Sequence, residues 1–186
     1  MKKVFIVHGF RGEPNGGWRP WLMGKLAEKD IYACALPMPT PEKPDKDAWE
    51  KTIANAVGAP NDEIFLVGHS LGVPAILRYL ETLKRDEKIG GAVLVSGPVF
   101  EIKKDGYEDV NKFISKKFEF DHIKGICKKF VIIHGDNDTA VPFADAEFLS
   151  ENLFCPLISI PNGGHLNGHD GFRELPQLLE SLEKMF

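Results

Sequence analysis

The chain has 186 residues, a formal charge of −4, and is 43% hydrophobic and 27% charged, an ordinary composition for a soluble globular protein. It has no basic block and no basic-aromatic alternation, which argues against nucleic acid as a partner, and no apolar run approaches transmembrane length. Cys34, Cys127 and Cys155 stand far apart without C-x-x-C spacing, which argues for reduced thiols rather than a disulfide frame or zinc site.

The apolar run after Met-Lys-Lys is too short for a signal peptide, so a cytoplasmic location is expected. That run gives the first strand, Val4–His8. Trp18, Trp21, Leu22 and Leu26 then share one helical stripe, and a second strand covers Ile31–Leu36. The proline-rich stretch 37–46 is too stiff for a helix. Asp47, with Glu50 three residues on, is read as the N-cap of a helix that presents Trp49, Ile53 and Val57 on one face. A strand at Ile64–Gly68 leads at once into a helix from Leu71 to Leu83, with Pro74 tolerable in its first turn. After a strand at Ala92–Ser96 comes a long, charged, aromatic segment from Pro98 to about Lys129. It is expected to form one or two short helices laid over the sheet edge, as a minimal cap (98–129). Phe130–His134 is the fifth strand. Pro142 opens a helix over 142–153, Leu157–Ile160 is the sixth strand, and a helix from about Leu175 to Lys184 faces Leu178, Leu179 and Leu182 inward. Strands so continuously apolar are covered on both faces, and their alternation with helices predicts a parallel α/β sheet with right-handed crossovers. One domain, residues 1–186, is expected at this length, burying roughly 70% of its unfolded surface.

In such sheets ligands gather beyond the carboxyl ends of the strands. Strand one ends in His8-Gly9-Phe10-Arg11-Gly12, and strand three in Gly68-His69-Ser70-Leu71-Gly72. Strand five runs into "HGDNDTAVP", and strand six into "PNGGHLNGHD". Small residues two positions either side of a serine permit a tight turn that holds its side chain out of the sheet, on a strained backbone. A serine, an acid and a histidine, each past a different strand, is the arrangement a nucleophilic triad needs. For the acid, Asp138 competes with Asp136, and either is also a candidate turn residue capping the helix at Pro142. For the histidine, His165 competes with His169, which reads equally as a surface residue beside Asp170. His69 is expected to be a packing or hydrogen-bonding neighbour, and His8 and His134 structural partners in their loops. His165 and His169 have a metal-like spacing, but glycines separate them and no helix is expected there, so neither metal nor cofactor is predicted.

By GHSLG, HGDNDTAVP and the late GGH, the chain resembles the α/β-hydrolase fold. With its opening VFIVHGFRG, the nearby Trp-x-x-Trp, its length and its small cap, it is similar to the small serine hydrolases of the retinoblastoma-binding protein 9/YdeN family. The resemblance covers essentially the whole chain. It implies a six-stranded parallel sheet of order 2-1-3-4-5-6 flanked by helices on both faces, with Ser70 as nucleophile, Asp138 as acid and His165 as base. The family spacing, an acid three residues before Val141-Pro142, favours Asp138. The double glycine favours His165, and it reads as a flexible approach able to swing the imidazole over the serine. A serine hydroxyl is inert near neutral pH until a base takes its proton, and an acid on the other ring nitrogen fixes the tautomer. Backbone N–H groups of Phe10 and Leu71 are the expected oxyanion donors.

Phe10, Trp18, Val99, Val141 and Leu166 flank these loops as candidate walls of an acyl site, although Trp18, on its apolar stripe, reads first as core. A small cap leaves the site open, so the expected substrates are small or medium carboxylic esters. Short peptides, cleaved aminopeptidase-fashion by the same triad, are one alternative; a non-catalytic protein-binding module is another. The Leu-x-Cys-x-Glu docking motif is absent. The binding role that names the family is therefore not carried over, and no protein partner is identified.

Overall fold

The computed structural model describes all 186 residues. Strands β1 (Lys3–Val7), β2 (Tyr32–Ala35), β3 (Ile64–His69), β4 (Gly91–Val95), β5 (Phe130–Gly135) and β6 (Leu157–Ile160) form one sheet. Its order is β2-β1-β3-β4-β5-β6, and every neighbouring pair is parallel. The helices are α1 (Arg19–Ala27), α2 (Lys46–Val57), α3 (Gly72–Thr82), α4 (Glu108–Asn111), α5 (Phe120–Ile126), α6 (Phe143–Leu153) and α7 (Pro176–Met185). This is the α/β-hydrolase order that the motifs implied.

Successive strand side chains point to opposite faces, so the sheet divides the core in two. Phe5, Val7, Leu66, Leu94 and Ile132 join α2, α3 and α6 in the larger cluster. Val4, Ile6, Val67, Val93 and Ile133 join α1 and α7 in the smaller. The strand sequences are apolar throughout because both faces are covered.

One local expectation is corrected. The N-cap of α2 is Asp45, not Asp47: Asp45 has extended backbone (φ −103°, ψ 122°) and its side chain accepts the Ala48 N–H at 2.8 Å. Asp47 already lies inside the first turn, where it pairs with Lys46. The segment after Pro98 forms two short helices, α4 and α5. Its aromatic residues complete the larger core cluster, where Phe113 packs edge-on against Trp49 at 5.6 Å between ring centres. Arg78 of α3 ties it down. Its guanidinium donates to the carbonyls of Phe113 and Lys116 and lies 3.9 Å above the Phe118 ring. No helix is long and apolar enough to cross a membrane.

Candidate active site

Between β3 and α3 the chain reverses within Ser70 and Leu71. Ser70 has φ +54°, a left-handed conformation that crowds the Cβ of any residue but glycine. The flanking glycines make the turn possible. A Cβ on Gly68 would fall 2.8 Å from the Gly72 carbonyl oxygen, and one on Gly72 only 2.1 Å from that of Val7. The start of α3 is thus pressed onto the end of β1, which leaves Ser70 at the carboxyl edge of the sheet.

Asp138 lies in the β5–α6 loop with each oxygen engaged. Oδ1 accepts the N–H groups of Ala140 (2.8 Å) and Val141 (3.0 Å). Oδ2 accepts from His165 Nδ1 at 2.7 Å and lies 3.4 Å from His134 Nε2. Burial by itself would raise this carboxyl, but hydrogen bonds from His134 and His165, with the Val141 N–H, outweigh it and hold Asp138 well below the usual carboxylate range. Asp138 rather than Asp136, and His165 rather than His169, make this pair.

The loop carrying His165 is pinned rather than free to swing. Asp136 Oδ1 accepts the Asn162 N–H (2.8 Å), Asn137 Oδ1 the Gly164 N–H (2.7 Å), and Asp170 Oδ2 the His165 N–H (2.8 Å). The double glycine reflects crowding and backbone conformation rather than flexibility: a Cβ on Gly163 would fall 2.8 Å from Leu166 Cδ2, and Gly164 has φ +53° with Asp170 Cγ 2.9 Å from where its Cβ would stand. Two further groups grip the loop from the smaller core. His69 Nε2 donates to the His165 carbonyl (2.9 Å), and Trp18 Nε1 donates to the Leu166 carbonyl (2.9 Å). Burial, reinforced by the neighbouring His165, lowers the His69 imidazole to about 3, so it stays neutral. His134 donates from Nε2 to the Val141 carbonyl (3.0 Å), bracing the turn that carries the acid. His69 and His134 are the hydrogen-bonding neighbours the sequence led us to expect, whereas the holds from Asp136, Asn137 and Trp18 were not foreseen.

The backbone N–H groups of Phe10 and Leu71 have no hydrogen-bond partner within the protein. Ser70, Phe10, Arg11 and His165 all stand where two cavities meet. One, about 190 Å³, is mainly apolar, with walls from Leu71, Ile102, Tyr107, Val110 and Val141. The other, about 690 Å³, is a polar cleft running over Gly9–Gly12, Gly16-Gly17 and Asn167–His169. Of the expected pocket walls, Phe10 and Val141 line the apolar cavity. Trp18 and Leu166 do not: both have no exposed surface and sit in the smaller core across the sheet. Their role is to fasten the loop behind His165. Val99 is also buried in core, and its N–H is taken by Asp145 Oδ2 at 2.7 Å. Ile102, Tyr107 and Val110 were missed because the order of the 98–129 segment does not reveal which of its residues turn toward Ser70.

The serine hydrolase family profile matches residues 4–184. YdeN of Bacillus subtilis is 32% identical over 185 residues, covering 100% of this chain and 96% of its own. Its crystal structure superposes with a TM-score of 0.94, covering 100% of this chain and 99% of that one. The serine hydrolase RBBP9 of Rattus norvegicus is 24% identical over 183 residues, covering 97% of this chain and 95% of its own.

Proposed function

The chain belongs to the serine hydrolase family, and from that premise we propose that it cleaves small or medium carboxylic esters through an acyl-enzyme on Ser70. The observation that carries the reading is the 2.7 Å contact between Asp138 Oδ2 and His165 Nδ1, with His165 and Ser70 lining the same two cavities. In this mechanism Nε2 of His165 takes the Ser70 proton as Oγ bonds to the ester carbon. Asp138 holds Nδ1–H, which fixes the tautomer and stabilises the imidazolium. The developing oxyanion is met by the free N–H groups of Phe10 and Leu71, donors whose loss singly lowers turnover by about a hundredfold or more. The carbon–oxygen bond to the alcohol then breaks and His165 returns the proton to the leaving oxygen. Water, deprotonated by His165, attacks the acyl-enzyme, and its hydroxyl joins the acid as Ser70 recovers its proton.

The apolar cavity of about 190 Å³ suits a short chain or a small ring rather than a long lipid tail. Pro98, Ile102, Tyr107 and Val110 contribute to it, so within this one domain the 98–129 segment serves as a short cap. An aminopeptidase needs carboxylates to hold a substrate ammonium. The polar cleft sets three arginines against Glu13 and Glu42, which favours the ester reading. Three free cysteines support a reducing, cytoplasmic setting.

The test is labelling by a fluorophosphonate with mass spectrometry of the modified peptide, together with turnover of p-nitrophenyl esters of increasing chain length. The expected outcome is a label on Ser70, absent from Ser70→Ala, and turnover that declines beyond medium chains. Ester turnover persisting in Ser70→Ala would remove Ser70 from the mechanism, and rapid triacylglycerol cleavage without short-ester cleavage would overturn the substrate class.

A further inference from the structure

The polar cleft beside Ser70 is lined by Arg11, Arg19 and Arg173, three of the chain's five arginines, and by none of its lysines. Arg19 is the unusual member. Its side chain is only 6% exposed, yet the sole arginine ion pair in the molecule is Arg78–Glu81, elsewhere. The Arg19 Nε donates to the Glu13 carbonyl at 3.0 Å, and the guanidinium lies 5.7 Å from the centre of the Trp18 ring. Nothing in the protein accepts from its two Nη nitrogens. Nη2 lies against Gly16, 2.6 Å from where a Cβ there would stand, and Gly16 itself lines the cleft. Across the cleft floor, where Gly17 and Gly168 meet, Arg173 Nη1 lies 3.3 Å from the corresponding point on Gly168. Glu13 and Glu42 are the only carboxylates lining the cleft. Both are exposed, and neither pairs with an arginine.

The charge of Glu13 acts on Arg19 without an ion pair forming, so the Nη donors of this largely buried guanidinium stay open to an anion in the cleft. Arginine, unlike lysine, offers a planar fork of donors that matches carboxylate and phosphate oxygens in pairs. We infer that this cleft is an oxyanion subsite: the ester processed at Ser70 carries a carboxylate or phosphate group, which docks on the Arg19 guanidinium with Arg173 and Arg11 at the rim. This rests on the ester hydrolase reading and specifies its substrate class. The apolar cavity takes one end of the ester and the arginine-lined cleft takes the charged end.

The test compares kcat/KM within matched pairs at low ionic strength. 4-Nitrophenyl hemiglutarate against 4-nitrophenyl pentanoate places the charge on the acyl side. 4-Butyryloxybenzoate and 4-butyryloxyphenyl phosphate, each against 4-butyryloxyacetophenone, place it on the alcohol side and separate carboxylate from phosphate. A charge-assisted contact of this kind predicts that at least one anionic ester exceeds its neutral partner by about tenfold to a hundredfold. That ratio should fall at least about fivefold in Arg19→Gln and by a smaller factor in Arg173→Gln, an exposed position that keeps the test open should Arg19→Gln fail to fold. Ratios at or below one in every wild-type pair overturn the inference, as does a preference unchanged in the arginine variants that fold. If neutral esters are turned over and Ser70 is labelled while the ratios stay near one, only the subsite falls. If no ester reacts and Ser70 resists fluorophosphonate, the ester reading falls and the subsite with it.

Discussion

The strain at Ser70 can be weighed by replacing it with two residues that both lack the hydroxyl. Ser70→Ala keeps a Cβ on a backbone at φ +54°, while Ser70→Gly removes it. A Cβ in the left-handed region costs about 1–2 kcal/mol. Against that, glycine gives the unfolded chain extra freedom worth about 0.4–1 kcal/mol. The difference favours Ser70→Gly over Ser70→Ala by roughly 1 kcal/mol, the reverse of the usual ordering of these residues. For a chain of this size that corresponds to about 2–4 °C in Tm. Side-chain packing barely enters, because Ser70 is half-exposed and borders the cavities. Differential scanning calorimetry on the two variants reads the difference directly, and neither should hydrolyse esters. If Ser70→Ala melts at the same temperature as Ser70→Gly or higher, the elbow is not strained and the account of the GHSLG turn given above is wrong.

Replacing Asp138 with Asn should leave the turn largely intact but present an amide N–H where His165 Nδ1–H now donates. Turnover should fall by about three to four orders of magnitude, measured as kcat on a short ester, and a loss under tenfold would dismiss Asp138 as the group that orients His165. Stability should depend on pH through His69. Its folded imidazole is lowered to about 3 by burial and by His165, so between about pH 6.5 and 3 the unfolded chain binds a proton that the folded chain refuses. Stability therefore falls as pH falls, with a slope of up to about 1.4 kcal/mol per pH unit from this group. Urea midpoints at pH 7.5 and 5.0 should drop less in His69→Gln than in the wild type. Asp138 adds almost nothing between pH 7.5 and 5.0, because a depressed carboxyl loses its contribution only as the pH falls below the unfolded value near 3.9. Equal drops in the two proteins would show that His69 is not buried neutral.

Much of the site was legible in local chemistry. The turn around Ser70 announced itself because only glycines fit where α3 meets β1, a requirement that leaves its mark at Gly68 and Gly72. Asp138 and His165 were legible as candidates because each follows a strand end. Asp136 and Asn137 were not, since their work is to hold the neighbouring loop at Asn162 and Gly164, and those partners lie 26 and 27 residues away in the chain. The N-cap of α2 was misplaced by two positions because Asp45 and Asp47 are chemically alike, and only the backbone angles separate a residue before the helix from one inside it.

The order of apolar runs, glycines and prolines was enough to set the alternation of strands and helices, since hydrophobic periodicity and turn chemistry act over a few residues. Which face of the sheet each side chain joins, and so that Trp18 and Leu166 fasten a loop instead of lining a pocket, depended on contacts between segments distant in the chain. The same holds for the cleft. Arg11, Arg19 and Arg173 are scattered along the polypeptide, and only the packing of the 9–17 loop against the 167–173 loop gathers their charges into one place.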